Sequence, residues 1–332
     1  MFRPLSAAAL LLLAACGDGQ PFVFPDEEET TEEDSGEGPG DSIRRSEERD
    51  ADGGGFVTSV QYDAASDSFS VDNIPFDGDR PYERQARFGS LNGFALYDSV
   101  GSFGDDSVVL DPETGARIRQ FDYRAIYGES RDTTRVDGRL QPRSRFAIIR
   151  TGDYRGYGFG GFLYERNGGV EIPKDGQAVF SGDYAGIRVF DGGTGLEYSS
   201  GDVEIAVDFE DFTEDDGLRG VVYNRRIFNS AGRELAVLGP NDPLNDEALV
   251  APPLTFDVGP GVVQSNGEIS GTASSTRGLE DGGTEVFEEG TFMGIIGGEA
   301  QEIVGIVVID STDPRYEGRI KVRETGGFIV YR

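Results

Sequence analysis

The chain has no histidine and no tryptophan, and it has a single cysteine in 332 residues. This composition excludes zinc sites built from His and Cys, Ser-His-Asp and Cys-His nucleophiles, haem ligation through His or Cys, and any disulfide framework. We therefore expect a protein that is not an enzyme, with no catalytic residues, no cofactor and no resident metal.

Basic residues are also scarce, since 30 Lys and Arg oppose 61 Asp and Glu and the formal net charge is −31. Because phosphate binding needs a cationic surface, nucleic acid is excluded as an expected partner. The charge also argues against adhesion to anionic lipid head groups. Its simplest effect is solubility and mutual repulsion, and a basic protein stays open as a partner.

The single long apolar run lies at the N-terminus. Arg3 precedes an unbroken Ala and Leu segment, Ala7–Ala15, about half of the ~20 residues that a membrane-spanning helix needs. Such a segment is typical of an export signal. The only cysteine, Cys16, follows Leu13-Ala14-Ala15, and this sequence resembles the lipobox of bacterial lipoproteins. We predict a signal peptide over 1–15.

The lipobox resemblance implies that the Cys16 thiol receives a diacylglycerol and that Cys16 becomes the first residue of the mature chain. Several acyl chains, palmitate among them, would then hold the protein stably on a membrane without spanning it. Gly17 follows the cysteine where Asp would favour the inner membrane. The resemblance therefore implies a lipid-anchored protein of the outer membrane.

The next segment, 16–53, is predicted to be a disordered acidic tether. From residue 17 to 53, acidic residues outnumber basic ones fourteen to three, and after Phe24 the only sizeable apolar side chain is Ile43. Such a segment cannot form a core. We interpret it as a flexible spacer, with a docking motif as the less favoured alternative.

From Phe56 onward the pattern predicts an all-β fold. Gly is frequent, at 49 of 332 residues, and Gly-containing turns separate short apolar runs. Val203–Phe209 alternates strictly, with Val203, Ile205, Val207 and Phe209 on one face, while Ile303–Ile309 is more continuously apolar and predicts a better-buried strand. No window has the period of a capped helix.

A Pro- and Gly-containing stretch, 171–176, divides this part into a β-rich handle-like region over 54–172 and a barrel region over 176–332. Eight to ten strands are predicted in the second region, which suits an eight-stranded antiparallel β-barrel with a filled interior. The segments are Gln177–Phe190, Leu196–Ser199, Val203–Phe209, Leu218–Phe228, Leu254–Val258, Glu268–Ala273, Glu285–Ile296, Ile303–Ile309 and Gly327–Tyr331.

One segment carries a family resemblance. Gly290-Thr291-Phe292-Met293-Gly294 and, further on, Ala300-Gln301-Glu302-Ile303-Val304-Gly305 resemble the Gly-x-Phe-x-Gly…Ala-x-Glu-x-x-Gly signature in the barrel domains of bacterial transferrin-binding protein B. Related surface lipoproteins, including those like factor-H-binding protein, share the barrel. Two upstream segments, Phe180–Gly186 and Gly201–Phe209, resemble the first strands of that barrel.

The resemblance implies roles for these residues. Gly290 and Gly294 would bracket a strand whose Phe292 faces the core. Glu302 would accept backbone N–H bonds at the following turn, and Gly305 would let the next strand pack closely or bend.

The resemblance covers 177–332 and implies one lobe with one handle and one barrel, whereas the family's proteins have two such lobes. Nothing matches the family's transferrin-contact loops, so transferrin is not carried over. What is implied is a surface-exposed or outer-membrane lipoprotein that binds something.

The most aromatic stretch is Gly152–Tyr164, and Tyr154, Tyr157 and Phe159 are its candidate binding aromatics. Tyr offers a large contact area at low entropy cost; the alternative is a strand whose aromatic side chains close a core. Acidic groups at Glu210-Asp211, 214–216 and Asp77-Gly78-Asp79 could bind calcium through oxygen ligands, but no EF-hand spacing is present and solvated acidic turns are favoured.

The leading hypothesis is a non-catalytic binding module that captures a protein or a small ligand at the cell envelope, with an outer-membrane transporter among the candidate partners. The first alternative is a structural or shielding lipoprotein without a dedicated ligand. A glycan-active enzyme that uses paired carboxylates is a weaker one. A membrane-spanning barrel is disfavoured because Glu204 and Asp208 occupy the outer face of a strand.

Overall fold

The computed structural model describes residues 38–49, 54–100, 110–154, 156–210, 217–235, 251–257, 263–279, 282–316 and 318–332. These residues include nineteen strands and one 3₁₀ turn, Pro314–Tyr316, and the chain from Ser35 to Arg332 is one compact unit. None of the described segments is a helix long and apolar enough to cross a bilayer. The all-β fold class is confirmed, while Cys16, the signal segment and most of the tether lie outside the described residues.

The N-terminal part forms eleven strands. They are β1 (Ile43–Ser46), β2 (Val60–Asp63), β3 (Ser68–Val71), β4 (Tyr82–Arg84), β5 (Ser90–Leu91), β6 (Phe94–Ser99), β7 (Tyr123–Glu129), β8 (Thr133–Val136), β9 (Arg139–Pro142), β10 (Ser144–Thr151) and β11 (Gly160–Arg166). Nine of them form one antiparallel sheet in the order β1-β11-β10-β7-β6-β4-β3-β2, with β5 paired to β6. This is the handle sheet; β8 and β9 form a separate two-stranded hairpin.

The predicted tether is wrong for its last part, because Ile43–Ser46 forms β1 and pairs with β11 from Ile43↔Arg166 to Ser46↔Leu163. Ile43 is only 1% exposed. Arg45 binds Glu268 of the barrel through two bonds of 2.6 Å and 3.0 Å. The side chain of Ile43 is therefore buried although its segment is acidic. The β1–β11 ladder and the Arg45–Glu268 ion pair offset the conformational entropy that is lost when the segment is ordered.

The C-terminal part is the predicted closed antiparallel barrel of eight strands. They are β12 (Gln177–Asp191), β13 (Leu196–Asp208), β14 (Leu218–Asn229), β15 (Leu254–Asp257), β16 (Glu268–Gly278), β17 (Thr284–Gly297), β18 (Glu302–Thr312) and β19 (Lys321–Tyr331). Each strand pairs with the next, and β12 closes on β19, so the barrel has no free edge. Two segments predicted as separate strands, Leu196–Ser199 and Val203–Phe209, belong to one strand because the β12–β13 ladder continues between them.

Side-chain alternation separates the interior of the barrel from its outside. Val203, Ile205, Val207 and Phe209 are all buried, as predicted, whereas Glu204 is exposed. In β18 both faces are buried, because Ile303 and Val307 point into the barrel core while Val304 and Ile306 belong to the cluster shared with the handle sheet. The more continuous apolar pattern of this strand is thus explained by a covered outer face.

The handle sheet lies against the outside of the barrel through an apolar cluster that includes Ile126, Phe146 and Ile148 from the handle and Ile187 and Ile306 from the barrel. Buried Arg166 joins four segments at this contact. Its guanidinium donates to the carbonyl oxygens of Asp41, Gly168, Asn266 and Ile296 at 2.6–2.9 Å. Burial lowers the pKa of Arg166 to about 10, and the four carbonyls offset that cost.

The register defines two ends of the molecule. At the proximal end the chain enters β1, and Ile43, Arg166 and Ser144 align across β1, β11 and β10. The β17–β18 turn lies there too, because Gly298 bridges Val170. At the opposite, distal end β10 leads into β11, and the backbone N–H of Gly195, in the β12–β13 turn, donates to Gly152 O at 2.8 Å.

Candidate functional site

The predicted binding aromatics all lie at the distal end, but they do not form one platform. Phe159 joins the aromatic core of the handle sheet, 5.5 Å from the Phe56 ring centroid. Tyr154 is 49% exposed and its ring lies 5.1 Å from Phe159. Tyr157 points elsewhere, with the Arg323 guanidinium 4.2 Å above its ring. Phe159 and Tyr157 are thus both half-buried and pack against different apolar clusters, whereas Tyr154 is exposed.

Tyr157 lines a groove on the outer barrel wall, here called the distal groove. Its volume is about 420 Å³, and it is lined by Tyr157, Val286, Phe287, Glu289, Asp310, Ser311, Thr312 and Lys321. Val286 is 60% exposed, and the Arg277 guanidinium lies 4.8 Å from the centroid of the Phe287 ring. Aromatic and aliphatic side chains therefore stand open to solvent beside charged ones.

A row of charges borders the groove. Glu289 pairs with Asp310 across β17 and β18, and Asp310 pairs with Arg323 across β18 and β19. Arg323 donates to both Asp310 oxygens, at 2.9 Å and 3.2 Å, and its guanidinium also covers Tyr157. The arginine thus fixes the orientation of the tyrosine that sequence analysis proposed, and the Glu289 side chain lines the groove.

Exposed apolar side chains concentrate at this end. Nine large apolar residues are exposed in the described chain, and six of them lie on distal turns or strand ends: Val100, Leu110, Tyr154, Leu279, Val286 and Tyr316. The other three are Leu140, Val179 and Tyr223. Single exposed apolar residues need no explanation, but their grouping on one end is typical of an interaction surface.

Beneath the distal surface, the barrel interior holds buried charges. Arg225, 1% exposed, binds both oxygens of Glu288 at 2.5 Å and 3.0 Å and reaches Glu324 at 3.2 Å. Glu324 also accepts from Tyr184 Oη at 2.7 Å and Ser199 Oγ at 2.8 Å. The interior at the proximal half is instead apolar, with Phe180, Val207, Ile296, Ile303 and Val330.

The pKa shifts agree with a tightly paired cluster. Burial disfavours the charge of Arg225, but Glu288 and Glu324 outweigh it and raise the pKa of Arg225. Burial likewise works to raise the pKa of Glu288, yet Arg225 and the Ser275 hydroxyl hold it below its ordinary value. Charged Arg and Glu at inward-facing positions were the sequence signal for this cluster, and sequence analysis missed it.

The residues of the motif that carries the resemblance lie on β17, on β18 and in the turn between them. Phe292 is fully buried and stacks on Phe256 with 4.5 Å between ring centroids. Gly290 and Gly294 lie inside β17 and do not bracket a strand, so that expectation was wrong. Close packing at Gly305 is confirmed, because a Cβ there would overlap the Phe328 ring.

Ala300 and Glu302 belong to the turn that follows β17. Ala300 is buried and has a φ of +50°. Glu302, expected to accept backbone N–H bonds, instead accepts from two serine hydroxyls of the handle region, Ser130 at 2.6 Å and Ser144 at 2.7 Å. The expected role was wrong because the handle sheet, invisible in a motif, supplies the partners.

The acidic candidates give no metal site in the described chain, where no group of three or more ligand-type residues converges. Residues 211–216 lie outside the described ranges. Asp77 is 3% exposed and accepts from the backbone N–H of Asp79 at 3.0 Å. Burial raises the pKa of Asp77 to about 6, which indicates a desolvated carboxylate in a turn.

A smaller depression of about 290 Å³ lies where the handle meets the barrel near the proximal end, lined by Tyr62, Tyr97 and Tyr127 among others. Tyr62 and Tyr97 donate to Asp67 at 3.1 Å and 2.7 Å, and Tyr127 donates to Glu129 at 3.2 Å. These hydroxyls are already paired, so the depression is less suited to a ligand than the distal groove.

Solved structures of transferrin-binding protein B resemble the chain. A double mutant from Haemophilus parasuis aligns with 11% identity over 83% of this chain and 45% of that one, at a TM-score of 0.36. Intact Ap-TbpB, with N and C lobes, aligns with 15% identity over 70% and 43%, at 0.30. The isotype 1 protein from serogroup B Neisseria meningitidis aligns with 14% identity over 60% and 34%, at 0.31.

The chain thus spans less than half the length of each of these three structures. No protein-family profile and no curated protein matches the chain. At these identities the overlaps describe similarity of fold alone.

Proposed function

We propose that the chain is a lipid-anchored, non-catalytic binding module of the bacterial outer membrane that captures a partner at its distal end. The observation that carries this proposal is the grouping of six exposed large apolar residues at the end opposite the point where the chain enters β1. A tether attached at one end leaves the other end open to the surroundings.

The distal surface favours a protein as the partner. The distal groove has a volume in the range of small-molecule sites, but exposed apolar residues continue beyond it, to Tyr154 and Tyr316. Aromatic anchors in the centre and charged side chains at the rim are the usual composition of a protein interface. An outer-membrane transporter is one candidate.

Site-specific photo-crosslinking in intact cells tests this proposal. A photoreactive amino acid replaces Val286 in the distal groove or, as a matched control, Val179 near the proximal end; the two valines are 60% and 55% exposed on barrel strands. We expect a discrete adduct from position 286 and none from position 179. Equal adducts from both positions, or none from position 286, would contradict distal capture.

The anchor and the location need their own test. Cys16→Ser should release the protein from the membrane fraction, because the only thiol that can be acylated is lost. With a tag after Arg332, protease treatment of intact cells should remove the tag if the barrel is outside. A tag that survives until the outer membrane is broken places the barrel in the periplasm and favours a structural role in the envelope.

A further inference from the structure

The hairpin formed by β8 and β9 lies at the proximal end, and none of its strand residues is buried. It pairs with no other strand in the described chain, and Asp137 and Gly138 make its turn with φ values of +50° and +78°, as two-residue hairpin turns require. An isolated hairpin is marginally stable. Here Asn167 holds its base, since the side chain donates to Pro142 O at 2.8 Å and its backbone N–H to Arg143 O at 2.7 Å.

The composition of the hairpin opposes that of the chain. From 131 to 143 the sequence holds four arginines, Arg131, Arg135, Arg139 and Arg143, against Asp132 and Asp137, whereas the whole chain carries a charge of −31. Arg135 and Leu140 lie opposite each other in the ladder, and Leu140 is 63% exposed, more than any other large apolar side chain described. Basic and apolar groups together suit a membrane interface.

The hairpin emerges beside the tether. Thr134 and Arg143, at its two ends, line the same depression as Pro39 and Gly40, the first residues of the chain to enter the described fold. A flexible segment as long as the one from Cys16 to Pro39 has a root-mean-square span of roughly 24–29 Å. A four-residue strand adds roughly 13 Å of reach. The hairpin can therefore touch a membrane that holds Cys16.

We propose that this hairpin docks on the anionic lipid head groups of the anchoring membrane, with Arg135 and Arg139 at the phosphates and Leu140 at the acyl-chain boundary. The inference rests on the anchor at Cys16 proposed above. Net charge alone predicted repulsion from such lipids, but the hairpin carries four arginines against two aspartates at the end where the chain enters β1.

Two arginines near an anionic surface attract it too weakly to recruit a free protein. A tether raises the effective concentration of the surface to the millimolar range, so the contact acts by orienting the module. Glu171 and Glu299 line the depression at the hairpin base and oppose close approach of the barrel rim. The hairpin would therefore stand between the membrane and the rim, which leaves the distal end outward.

The absence of tryptophan and the single cysteine allow a direct test. The substitution Leu140→Trp gives the full chain its only tryptophan. The Cys16 thiol is coupled to maleimide-phosphatidylethanolamine in vesicles, so that the experiment does not depend on lipidation in cells. Two kinds of vesicle are compared: one contains phosphatidylglycerol and the other consists of phosphatidylcholine only. Both carry brominated acyl chains, which quench the fluorescence of a tryptophan that reaches them. Val100→Trp, at a distal residue 57% exposed, is the matched control.

We expect the emission of Leu140→Trp to shift to shorter wavelength and to be quenched in phosphatidylglycerol vesicles only, and that of Val100→Trp to stay unchanged in both. Adding Arg135→Glu and Arg139→Glu to Leu140→Trp should abolish the quenching. Absent quenching, equal quenching in both lipids, quenching that survives the charge reversal, or equal quenching of both tryptophans would each overturn the proposal. None of these results bears on capture at the distal end, which the crosslinking measures.

Discussion

The two ends of the molecule place their apolar and charged groups in opposite ways. At the distal end, apolar side chains such as Val286 and Tyr154 are exposed, while the barrel interior below them holds the paired charges of Arg225, Glu288 and Glu324. At the proximal end the barrel interior is apolar and the exposed hairpin is basic. An exposed apolar surface suits a protein partner, and a basic hairpin suits phosphates.

Buried polar contacts of different kinds hold the two ends. Buried charge pairs fix strand geometry beneath the distal surface, because such pairs tolerate only narrow ranges of distance and angle. At the proximal end, Arg166 and the Arg45–Glu268 pair tie the first strand to the barrel. Variants that remove one of these interactions test the comparison one end at a time.

The largest effect is expected from Arg225→Met at the distal end. The variant keeps the volume of the side chain but leaves Glu288 and Glu324 without their shared cation inside the barrel. Breaking a buried pair by removing one partner costs about 3–5 kcal/mol, so urea unfolding should show a loss of that size in the free energy of unfolding.

Arg226 is the matched control, since it is the next residue and pairs with Glu234, but its side chain is 57% exposed. Arg226→Met should change stability by less than about 1 kcal/mol. Similar losses of unfolding free energy in the two variants would mean that the interior cluster stabilises the fold no more than a surface ion pair does. The proposed contrast between buried charges and surface charges at the distal end would then be wrong.

A smaller loss is expected from Ile43→Ala at the proximal end. Ile43 is 1% exposed in the cluster shared by handle and barrel, and truncation of a buried Ile costs about 2–3 kcal/mol at a site that relaxes partly. Hydrogen exchange should show faster exchange of the β1 amides. Ser46→Ala, at an exposed position of the same strand, is the control with little change. Unprotected β1 amides in the parent chain would restore the tether interpretation.

Asp77→Asn should stabilise the distal end of the handle sheet. The pKa of Asp77 is raised from 3.8 to about 6, so the folded state binds its proton more tightly than the unfolded state. Stability from this group is present below about pH 4 and is lost as pH rises through about 6. At pH 7 the free energy of unfolding of Asp77→Asn should exceed that of the parent chain by about 1–3 kcal/mol. Below pH 4 the two free energies should be equal. A gain that is independent of pH would contradict this assignment.

The fold could largely be predicted from sequence because its signals are local. Strict alternation in Val203–Phe209 and the continuous run at Ile303–Ile309 marked strands that the structure contains, and Phe292 was expected to face the core where it lies. A period of two residues needs no knowledge of the partner strand. The acidic composition around Ile43 led to the wrong prediction of a tether, because the ladder partner of Ile43 is more than a hundred residues away and local composition does not reveal it.

The candidate site could be predicted only in part. Of the three aromatics, Tyr154 is exposed, while Tyr157 and Phe159 are half-buried and pack against different apolar clusters. Local pattern could not separate them because these clusters come from distant segments. The serines that bind Glu302 and the carboxylates that bind Arg225 also come from remote strands. Long-range pairing of polar groups leaves no periodic trace in one sequence.

The smallest effect on stability, and the most informative one for function, is expected from Tyr154→Ala. Its ring is 49% exposed and touches Phe159 at one edge of the aromatic core, so the free energy of unfolding should change by less than about 0.5 kcal/mol. If the distal end captures a protein, the same variant should weaken the crosslink from position 286, since aromatic residues carry much of the energy of interfaces. Val179→Ala, which truncates an exposed side chain near the proximal end and outside the hairpin, should leave that crosslink intact. An undiminished crosslink in Tyr154→Ala would confine the partner to the groove around Tyr157 and remove Tyr154 from the capture surface.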